Sequence, residues 1–373
     1  MRVLIINSVC GIGSTGRICT DLALEYERQG NEVKIAYGRD NNVPEKYRKY
    51  AVHIGTDWDV RLHGMKSRLL DGHGLGSVRA TKEFLKWVEE YKPDLLWLHN
   101  IHGYYINYEL LFKWIKQHPE MEVKWTLHDC WAFTGRCSFF TIAKCDKWKT
   151  GCGNCPQPQK YPATLIDNSS RNYLRKKTSF CGVKRLTIIT PSKWLANLVK
   201  ESFLKEYPVE IRYNTVDTTI FAPRKSGFRQ QYQLEGKKII LGVASPWDER
   251  KGLEDFLWLS KHIEEPYKIV LVGLTVEQIK LLPSNIIGIT RTNSAKELAE
   301  IYSAADVFVN PTHEDNYPTT NLEAAACGTP VVTFRIGGSP ESVPKENVVE
   351  YGDREGLLNT IMKNIDNPIL SFN

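Results

Sequence analysis

Short apolar runs alternate with longer amphipathic stretches along most of the chain. The first series predicts strands at 2–8, 32–38, 94–100, 122–129 and 185–192, and helices at 15–30 and 108–118. Apolar strands that are separated by helices are typical of a parallel sheet with helices on both faces. The first part of the chain is therefore predicted to be a doubly wound α/β domain.

A second series repeats this alternation after a polar, turn-rich stretch at 210–227. It predicts strands at 237–245, 267–273, 306–312 and 329–334, and helices at 253–263, 295–305 and 319–328. Because the intervening stretch suits a connection between domains, we expect two domains, at 1–214 and 215–373. Two such sheets facing each other would form a central cleft lined by the carboxyl ends of their strands, where open sheets bind ligands.

Length and composition agree with two domains of a globular protein. The chain has 373 residues, of which 42% are hydrophobic and 25% charged, and this length exceeds the size at which a single core stops growing. No apolar run approaches the roughly 20 residues of a membrane-spanning helix. The N-terminal stretch lacks the pattern of a signal peptide, so the sequence predicts a cytoplasmic protein.

The net charge of +6 comes from dispersed basic residues. Solvated basic faces explain this charge most simply. Acidic substrates such as nucleoside diphosphates, or peripheral contact with the inner leaflet of the cytoplasmic membrane, are the alternatives. No basic and aromatic interleaving occurs, so no nucleic-acid partner is expected.

The strongest local signal is the stretch PTHEDNYPTTNLEAAACGTPVV at 311–332. Pro318 is predicted to lie in the first turn of a helix that follows a strand and a turn. The backbone amides of Thr319 and Thr320 would then lie at the positive end of that helix, where they suit a phosphate.

Two acids in this stretch, Asp315 and Glu323, are eight residues apart. Carboxylates in these positions can bind hydroxyl groups on either side of an anionic ligand, and a ribose diol is the natural partner of Glu323. Spacing alone leaves open the alternative that both are helix-start acids that offset the helix dipole.

In these residues the chain resembles the retaining glycosyltransferases of family 4, which have the two-domain GT-B fold. That family carries an acid, seven further positions, and then Glu in a pattern EAxAxGxPVV; this chain has Asp315, seven residues, and Glu323 followed by AAACGTPVV. In that family the first acid is usually glutamate, whose side chain is one methylene longer than that of Asp315. The resemblance implies that Asp315 holds sugar hydroxyls and that Asn316, Tyr317 and Pro318 line the donor site.

A second family feature is GVASPWDERKGLEDFL at 242–257. The resemblance implies that Arg250 and Lys251 hold the donor diphosphate, because a leaving pyrophosphate builds negative charge that fixed cations must offset. Many relatives have an arginine where Ser245 stands. Without the resemblance, a solvated turn after a strand would explain this stretch.

Histidines follow two predicted strands of the first domain: His99 and His102 in one loop, and His128 beside Asp129 in another. A histidine at a strand end is usually a polar rim residue. The resemblance instead implies that His128 lies near the transferred sugar and the catalytic centre. His99 and His102 are left as candidates for the acceptor side.

The loop after the first strand contains Gly11-x-Gly13-x-x-Gly16. A dinucleotide site would need an acid at the end of the second strand, and the residues there, up to Asp40, are too ambiguous to support one. The resemblance implies that Gly13, Gly16 and Arg17 approach the donor phosphate or the acceptor, where glycine leaves room for the ligand.

Four cysteines in a segment at 130–160 follow the spacing Cx7Cx6CxxC: Cys137, Cys145, Cys152 and Cys155. This spacing is able to form a tetrahedral thiolate site, so a structural zinc ion is our first interpretation, with free buried thiols and disulfides as alternatives. Similar segments occur in family members that act in bacterial polysaccharide assembly. We expect the segment to shape the choice of acceptor.

Asp57-x-Asp59 is similar to the metal-binding pair of the other major glycosyltransferase fold, but it lies in a polar stretch far from the donor motifs. No catalytic divalent metal is therefore expected. The base of the donor nucleotide is expected to meet the loop at Arg291.

The resemblance implies a retaining hexosyltransferase that moves a sugar from a nucleotide-diphosphate donor to a hydroxyl of a growing glycan, which is lipid-linked or free and of exopolysaccharide, capsule or O-antigen type. Front-face substitution follows from the family's chemistry: the departing phosphate oxygen accepts the acceptor's proton. Two alternatives are a sugar-nucleotide epimerase of the same fold and a non-catalytic nucleotide-sugar binding protein.

Overall fold

The computed structural model describes residues 1–366 and divides the chain into two compact units, Met1–Tyr213 and the part from Asn214 onward. The boundary lies one residue before the predicted one. Of the helices within residues 1–366, none combines the length and the apolar character needed to span a bilayer.

The first unit is built on a seven-stranded parallel sheet with the order β3-β2-β1-β4-β5-β6-β7. Its strands are β1 (Arg2–Ile6), β2 (Glu32–Tyr37), β3 (Ala51–His53), β4 (Leu95–Leu98), β5 (Glu122–Thr126), β6 (Leu186–Thr190) and β7 (Val209–Ile211). Its helices are α1 (Gly13–Arg28), α2 (Asp57–Leu70), α3 (Val78–Tyr91), α4 (Tyr108–Gln117), α5 (Ser169–Phe180) and α6 (Lys193–Glu201).

Successive residues of the central strands point to opposite faces of this sheet, and both faces are buried. Leu4 and Ile6 of β1 pack in one hydrophobic cluster, while Val3 and Ile5 pack in another. Burial on both faces explains why these strands are almost continuously apolar in the sequence.

The second unit has a six-stranded parallel sheet with the order β10-β9-β8-β11-β12-β13. Its strands are β8 (Lys238–Val243), β9 (Tyr267–Val272), β10 (Ile286–Ile289), β11 (Val307–Asn310), β12 (Val331–Phe334) and β13 (Val348–Val349). Its helices are α7 (Phe228–Gln231), α8 (Leu253–Leu259), α9 (Val276–Lys280), α10 (Ala295–Ala304), α11 (Thr319–Ala326) and α12 (Arg354–Asp366). Two doubly wound parallel-sheet units confirm the predicted fold class.

Candidate functional site

The strand order of the second unit reverses between β8 and β11, because β9 lies on one side of β8 and β11 on the other. Open parallel sheets bind ligands at the carboxyl ends of the strands at such a reversal. The loops that follow β8 and β11 carry the two donor motifs of the sequence.

Gly252 lets these two loops approach closely. It follows a short 3-10 helix at Glu249–Lys251 and has a φ of +74°. A Cβ atom at this position would lie 2.2 Å from the carbonyl oxygen of Pro311. Glycine is therefore required both by the backbone conformation and by the contact.

Main-chain groups join the loops further. The Arg250 carbonyl accepts a hydrogen bond from the backbone amide of His313 at 2.8 Å, and the Arg250 guanidinium donates to the Glu314 carbonyl at 3.1 Å. Arg250 is thus held beside the second motif by both its backbone and its side chain.

Lys251 and Asp315 form a side-chain pair across the same junction, with 2.5 Å between Nζ and Oδ2. The other carboxylate oxygen of Asp315 accepts from the backbone amide of Asn316 at 2.9 Å. The structure therefore brings together the cation and the acid of the two sequence motifs, which are 64 residues apart.

The helix α11 begins at Thr319, and Pro318 is its N-cap. The predicted place of Pro318 in the first turn is thus wrong by one position, because its ψ of 120° is still extended. Proline has no side-chain group that could cap the helix, so the amides of Thr319 and Thr320 lie at an end without a capping side chain from Pro318. The Tyr317 carbonyl accepts from the Asn214 side chain at 3.0 Å.

Glu323 lies in the second turn of α11 and is only 4% exposed. The Tyr302 hydroxyl donates to its Oε2 at 3.2 Å. Arg291, by contrast, is exposed and follows β10, which is an edge strand separated from β11 by β9 and β8.

A buried polar network contacts α11, and the sequence analysis missed it. The Asn310 side chain donates to the Asn321 amide oxygen at 2.8 Å, and Asn321 in turn donates to the hydroxyls of Ser339 and Ser342. Ser339 also bonds the Thr333 hydroxyl at 2.8 Å. These residues link the ends of β11 and β12 to the helix and restrict its movement.

Gly337, in the loop after β12, approaches Asp315. Its φ is +56°, and a Cβ atom there would lie 2.0 Å from the Asp315 carbonyl oxygen. The next amide, that of Gly338, donates to the same oxygen at 3.2 Å. The signal for this contact was present as the GGSPE stretch directly after a predicted strand.

In the first unit, His99 and His128 follow the neighbouring strands β4 and β5 and meet at 3.0 Å, Nδ1 to Nε2. Burial lowers the pKa of His128 to about 4, and burial followed by the charge of His128 lowers the pKa of His99 well below its usual value. Both imidazoles are therefore neutral near pH 7, so one nitrogen of the pair donates and the other accepts.

His102 and Asp129 form a second pair beside the first, with 3.2 Å between Nε2 and Oδ2. Burial acts to raise the pKa of Asp129, but the charge and hydrogen bond of His102 and the Trp131 amide outweigh it, and the net pKa is lowered. The three histidines named from the sequence thus lie in one group at the carboxyl ends of β4 and β5.

The opening glycine loop leads into α1. Gly13 is the first residue of the helix, with a φ of +62° and an exposed position. Gly16 is buried, and the Gly11 amide donates to its carbonyl at 3.2 Å. Arg17 is exposed on the second turn of α1.

Comparison with known proteins shows which family the second unit resembles. Residues 237–367 match the family model described as Glycosyl transferases group 1. Over 278 residues the chain is 26% identical to the putative colanic acid biosynthesis glycosyl transferase WcaC of Escherichia coli K12, covering 71% of this chain and 65% of the relative. The chain is thus similar to group 1 glycosyltransferases, and the family pattern lies in its second unit.

A second relative matches over a comparable length at lower identity. A D-inositol 3-phosphate glycosyltransferase of Corynebacterium jeikeium is 22% identical over 262 residues, covering 64% of this chain and 57% of that protein. The matched part of the chain thus spans less than two thirds of the length of these two curated relatives.

Solved structures agree with the GT-B fold. Sucrose-phosphate synthase of Thermosynechococcus elongatus aligns with a TM-score of 0.70 at 17% identity, over 99% of this chain and 91% of that chain. Anabaena Alr3699/HepE in complex with UDP-glucose aligns with a TM-score of 0.66 at 14% identity, over 98% and 90% of the two chains. At these identities the likeness concerns the fold alone.

The cysteine segment packs into the core of the first unit. Arg136 is buried, and its Nε lies 3.0 Å from Asp71 Oδ1. Lys176 is also buried and donates to the carbonyls of Trp131 and Thr134 at 2.6 and 3.1 Å; burial lowers its pKa to about 7. Sequence analysis missed both buried cations, because only the fold brings their partners to them.

The four cysteines lie in this segment as free thiols. Burial raises the pKa of Cys137 to about 12 and that of Cys152 to about 11, and the Gly135 amide donates to Cys152 Sγ at 3.1 Å. Within residues 1–366 the structure contains no group of three or more His, Cys, Asp or Glu side chains arranged to hold a metal ion. The zinc site stays a prediction from the cysteine spacing.

Asp57 and Asp59 begin α2, and Asp59 has a structural role there. Its Oδ2 accepts from the Thr56 amide at 2.9 Å, while the Thr56 hydroxyl accepts from the Asp59 amide at 3.3 Å. This is a capping box, and it accounts for the acid without a metal.

Proposed function

We propose that this chain transfers a hexose from a nucleotide-diphosphate sugar to a hydroxyl of a growing glycan, with retention at the anomeric carbon. The observation that carries the proposal is the junction of Arg250 and Lys251 with the loop at Asp315, directly before α11. Two fixed cations and the amide end of a helix are the groups that a diphosphate needs.

Arg250 and Lys251 would stabilise the leaving diphosphate. Negative charge develops on the departing phosphate oxygen, and cations that are already held in place stabilise it without reorganising. Lys251 contacts Asp315, and its side chain is partly exposed. A bound diphosphate would compete with Asp315 for the ammonium group, and the freed carboxylate oxygen could then accept from a sugar hydroxyl.

The remaining donor contacts follow from the same loops. The amides of Thr319 and Thr320 would bind a phosphate, and Glu323 would bind the ribose. Arg291, in the loop after β10, would contact the base. The sugar side of the site would be lined by Asn316, Tyr317 and Pro318. Alr3699/HepE was solved in complex with UDP and with UDP-glucose, which supports a nucleotide-sugar donor for a chain of this fold.

The first unit would supply the acceptor side of the site and His128. Gly13, Gly16 and Arg17 would approach the donor phosphate or the acceptor. Because His128 is neutral near pH 7, it would hydrogen-bond the sugar near its reacting carbon rather than act as a charged acid. In front-face substitution the departing phosphate oxygen takes the acceptor's proton. The colanic acid relative supports a polysaccharide acceptor, and a cytoplasmic location stays a prediction.

The first experiment is a thermal-shift screen of the whole chain against UDP, GDP, ADP and their sugars, because a ligand that binds the folded state raises its apparent stability. Lys251→Gln should lose the rise in melting temperature that the best nucleotide causes. The control Lys261→Gln, at an exposed position in the turn after α8, should keep this rise. A shift that persists in Lys251→Gln would contradict the proposed diphosphate site.

Product analysis then separates the three candidate activities. If the sugar is transferred with retention, the new glycosidic linkage should have the same anomeric configuration, α or β, as the donor. NMR of the product measures this configuration. Free epimerised sugar without an acceptor would identify an epimerase. Donor binding without turnover for any glycan acceptor would identify a binding protein.

For the cysteine segment, the proposal is a structural zinc ion held by Cys137, Cys145, Cys152 and Cys155. Zinc bound there would join parts of an otherwise irregular segment. Metal quantification on freshly purified, chelator-free protein should give about one equivalent of zinc. The double variant Cys152→Ser, Cys155→Ser should lose this zinc, and the control Cys181→Ser should keep it. Less than about one tenth of an equivalent would discard the site.

A further inference from the structure

The helix α2 turns a stripe of large apolar side chains outward. Trp58, Leu62, Met65 and Leu69 are spaced by four, three and four residues, which places them on one face of a helix. All four are exposed, between 45% and 69%. The stripe runs along about 16 Å of the helix at 1.5 Å per residue.

The inward face of α2 combines polar side chains with Val60, which packs against the core. His63 and Ser67 are buried, and His63 Nε2 accepts from the amides of Gly74 and Gly76, each at 3.0 Å. These bonds and the capping box hold the helix to the first unit. The outward stripe is therefore not needed to attach α2 to the core, and its amphipathicity is the reverse of an ordinary surface helix.

Two further apolar residues extend the stripe at the C-terminal end of α2. Leu165 and Ile166 are exposed, and the Leu165 amide donates to the Arg68 carbonyl at 2.9 Å. We call the six side chains together the α2 apolar surface: Trp58, Leu62, Met65, Leu69, Leu165 and Ile166. Exposed apolar side chains grouped in this way mark an interaction site.

Basic side chains flank the α2 apolar surface. Arg61, Lys66 and Arg68 are all exposed, and the Arg61 guanidinium lies 5.3 Å from the centre of the Trp58 ring. The acids of α2 are confined to its first turn. Helical geometry at 100° per residue puts Arg61 and Arg68 on one side of the stripe and Lys66 on the other.

We propose that the α2 apolar surface binds an anionic phospholipid surface, with the helix lying in the plane of the membrane interface. A Trp at the headgroup level, aliphatic side chains below it and basic flanks beside the phosphates are the features of an interfacial helix. A second copy of this chain is disfavoured as the occupant, because antiparallel pairing of two α2 helices would bring Arg61 of one copy near Arg68 of the other. This inference goes beyond glycosyl transfer and does not depend on it.

The test is co-sedimentation of the full chain, without donor or acceptor, with vesicles of phosphatidylcholine and of an equal mixture of phosphatidylcholine and phosphatidylglycerol. The wild type should sediment with the mixed vesicles, and less so as salt increases. Leu62→Ser with Met65→Ser should weaken this binding at least about tenfold. Arg61→Gln with Arg68→Gln should weaken binding to the mixed vesicles about 25-fold, about fivefold per arginine, with little effect on binding to neutral vesicles.

A matched control is Leu281→Ser, which removes a leucine of the second unit that is 83% exposed. It should bind vesicles as the wild type does, and thermal unfolding should show that all variants are folded. Wild-type protein that stays in the supernatant with both vesicle types would overturn the proposal. Equal vesicle binding by the Leu62→Ser, Met65→Ser double variant would also overturn it. The same holds if the wild type binds no vesicles but forms a dimer in light scattering that the double variant does not form.

Discussion

Lys251 Nζ lies 2.5 Å from Asp315 Oδ2, although the two residues are 64 positions apart in the chain. The pair joins the loops after β8 and β11, two neighbouring strands of the second unit. Because the side chains are only partly buried, the pair itself adds little stability. Because the pair lies beside the start of α11, we propose that it serves donor binding instead.

Lys251→Gln should therefore reduce turnover far more than stability. We expect kcat/KM to fall about a hundredfold or more, because a fixed cation at the leaving group is removed, while the free energy of unfolding changes by less than about 1 kcal/mol. Steady-state kinetics with the donor found by thermal shift, together with urea unfolding, measure both quantities. Unchanged kcat/KM in Lys251→Gln, with Lys261→Gln as the control, would refute the role.

Gly252→Ala tests the close approach of the same two loops. Gly236 provides a matched control, because its φ of +71° is similar but a Cβ atom there would meet nothing within 4 Å. Gly236→Ala should cost about 1 kcal/mol of unfolding free energy from the backbone conformation alone. Gly252→Ala should cost at least about 2 kcal/mol more, since its Cβ would meet the Pro311 carbonyl. Equal losses in the two variants would show that the loops can separate freely.

Asp71→Asn tests the buried ion pair of the first unit. Asp71 has a φ of +52°, which asparagine tolerates, so the substitution chiefly removes the charge opposite Arg136. Leaving Arg136 buried without its partner should cost about 3–5 kcal/mol of unfolding free energy. Glu27→Gln, which breaks the exposed pair with Lys49, should cost less than about 1 kcal/mol in the same urea titration. A small loss in Asp71→Asn would mean that water or another group reaches Arg136.

The stability of the first unit should decrease in mild acid. Burial, and then the charge of Lys66, lower the pKa of His63 from 6.5 to about 4. The folded pKa is below the unfolded one, so the neutral form stabilises the fold fully above pH 6.5, and this contribution is lost as the pH falls toward 4. The loss for His63 is on the order of 3 kcal/mol.

His63→Gln keeps an acceptor near the two glycine amides but cannot titrate. Urea unfolding between pH 7 and pH 4 should therefore show a shallower pH dependence in His63→Gln than in the wild type. His53→Gln, at an exposed position, should leave the wild-type dependence unchanged. Parallel curves for all three proteins would contradict the assignment.

The buried central strands could be predicted because both faces of each sheet are covered, which makes β1, β4, β8 and β11 apolar at nearly every position. The short edge strands β3 and β7 and the helices α2 and α3 escaped prediction. In α2 the apolar stripe faces solvent while His63 and Ser67 face the core, so its periodicity does not indicate which face is buried.

The candidate site was predictable where one motif carries both the residue and its local geometry. Arg250, Lys251 and Asp315 could be named because the stretches that carry them resemble family motifs and lie in the loops after the apolar strands β8 and β11. Their supporting residues could not: Asn321, Ser339 and Gly337 acquire their contacts only when the ends of β11 and β12 lie side by side.

By itself, the sequence determined the fold class of two parallel α/β units, because strand burial and turn residues are local properties of the chain. The tertiary structure alone decided which distant groups meet. The partners of Lys251, His128 and Arg136 are each more than 28 residues away, and the exposure of Trp58 depends on what the rest of the first unit leaves uncovered. Such contacts depend on strand order and packing, which no local pattern encodes.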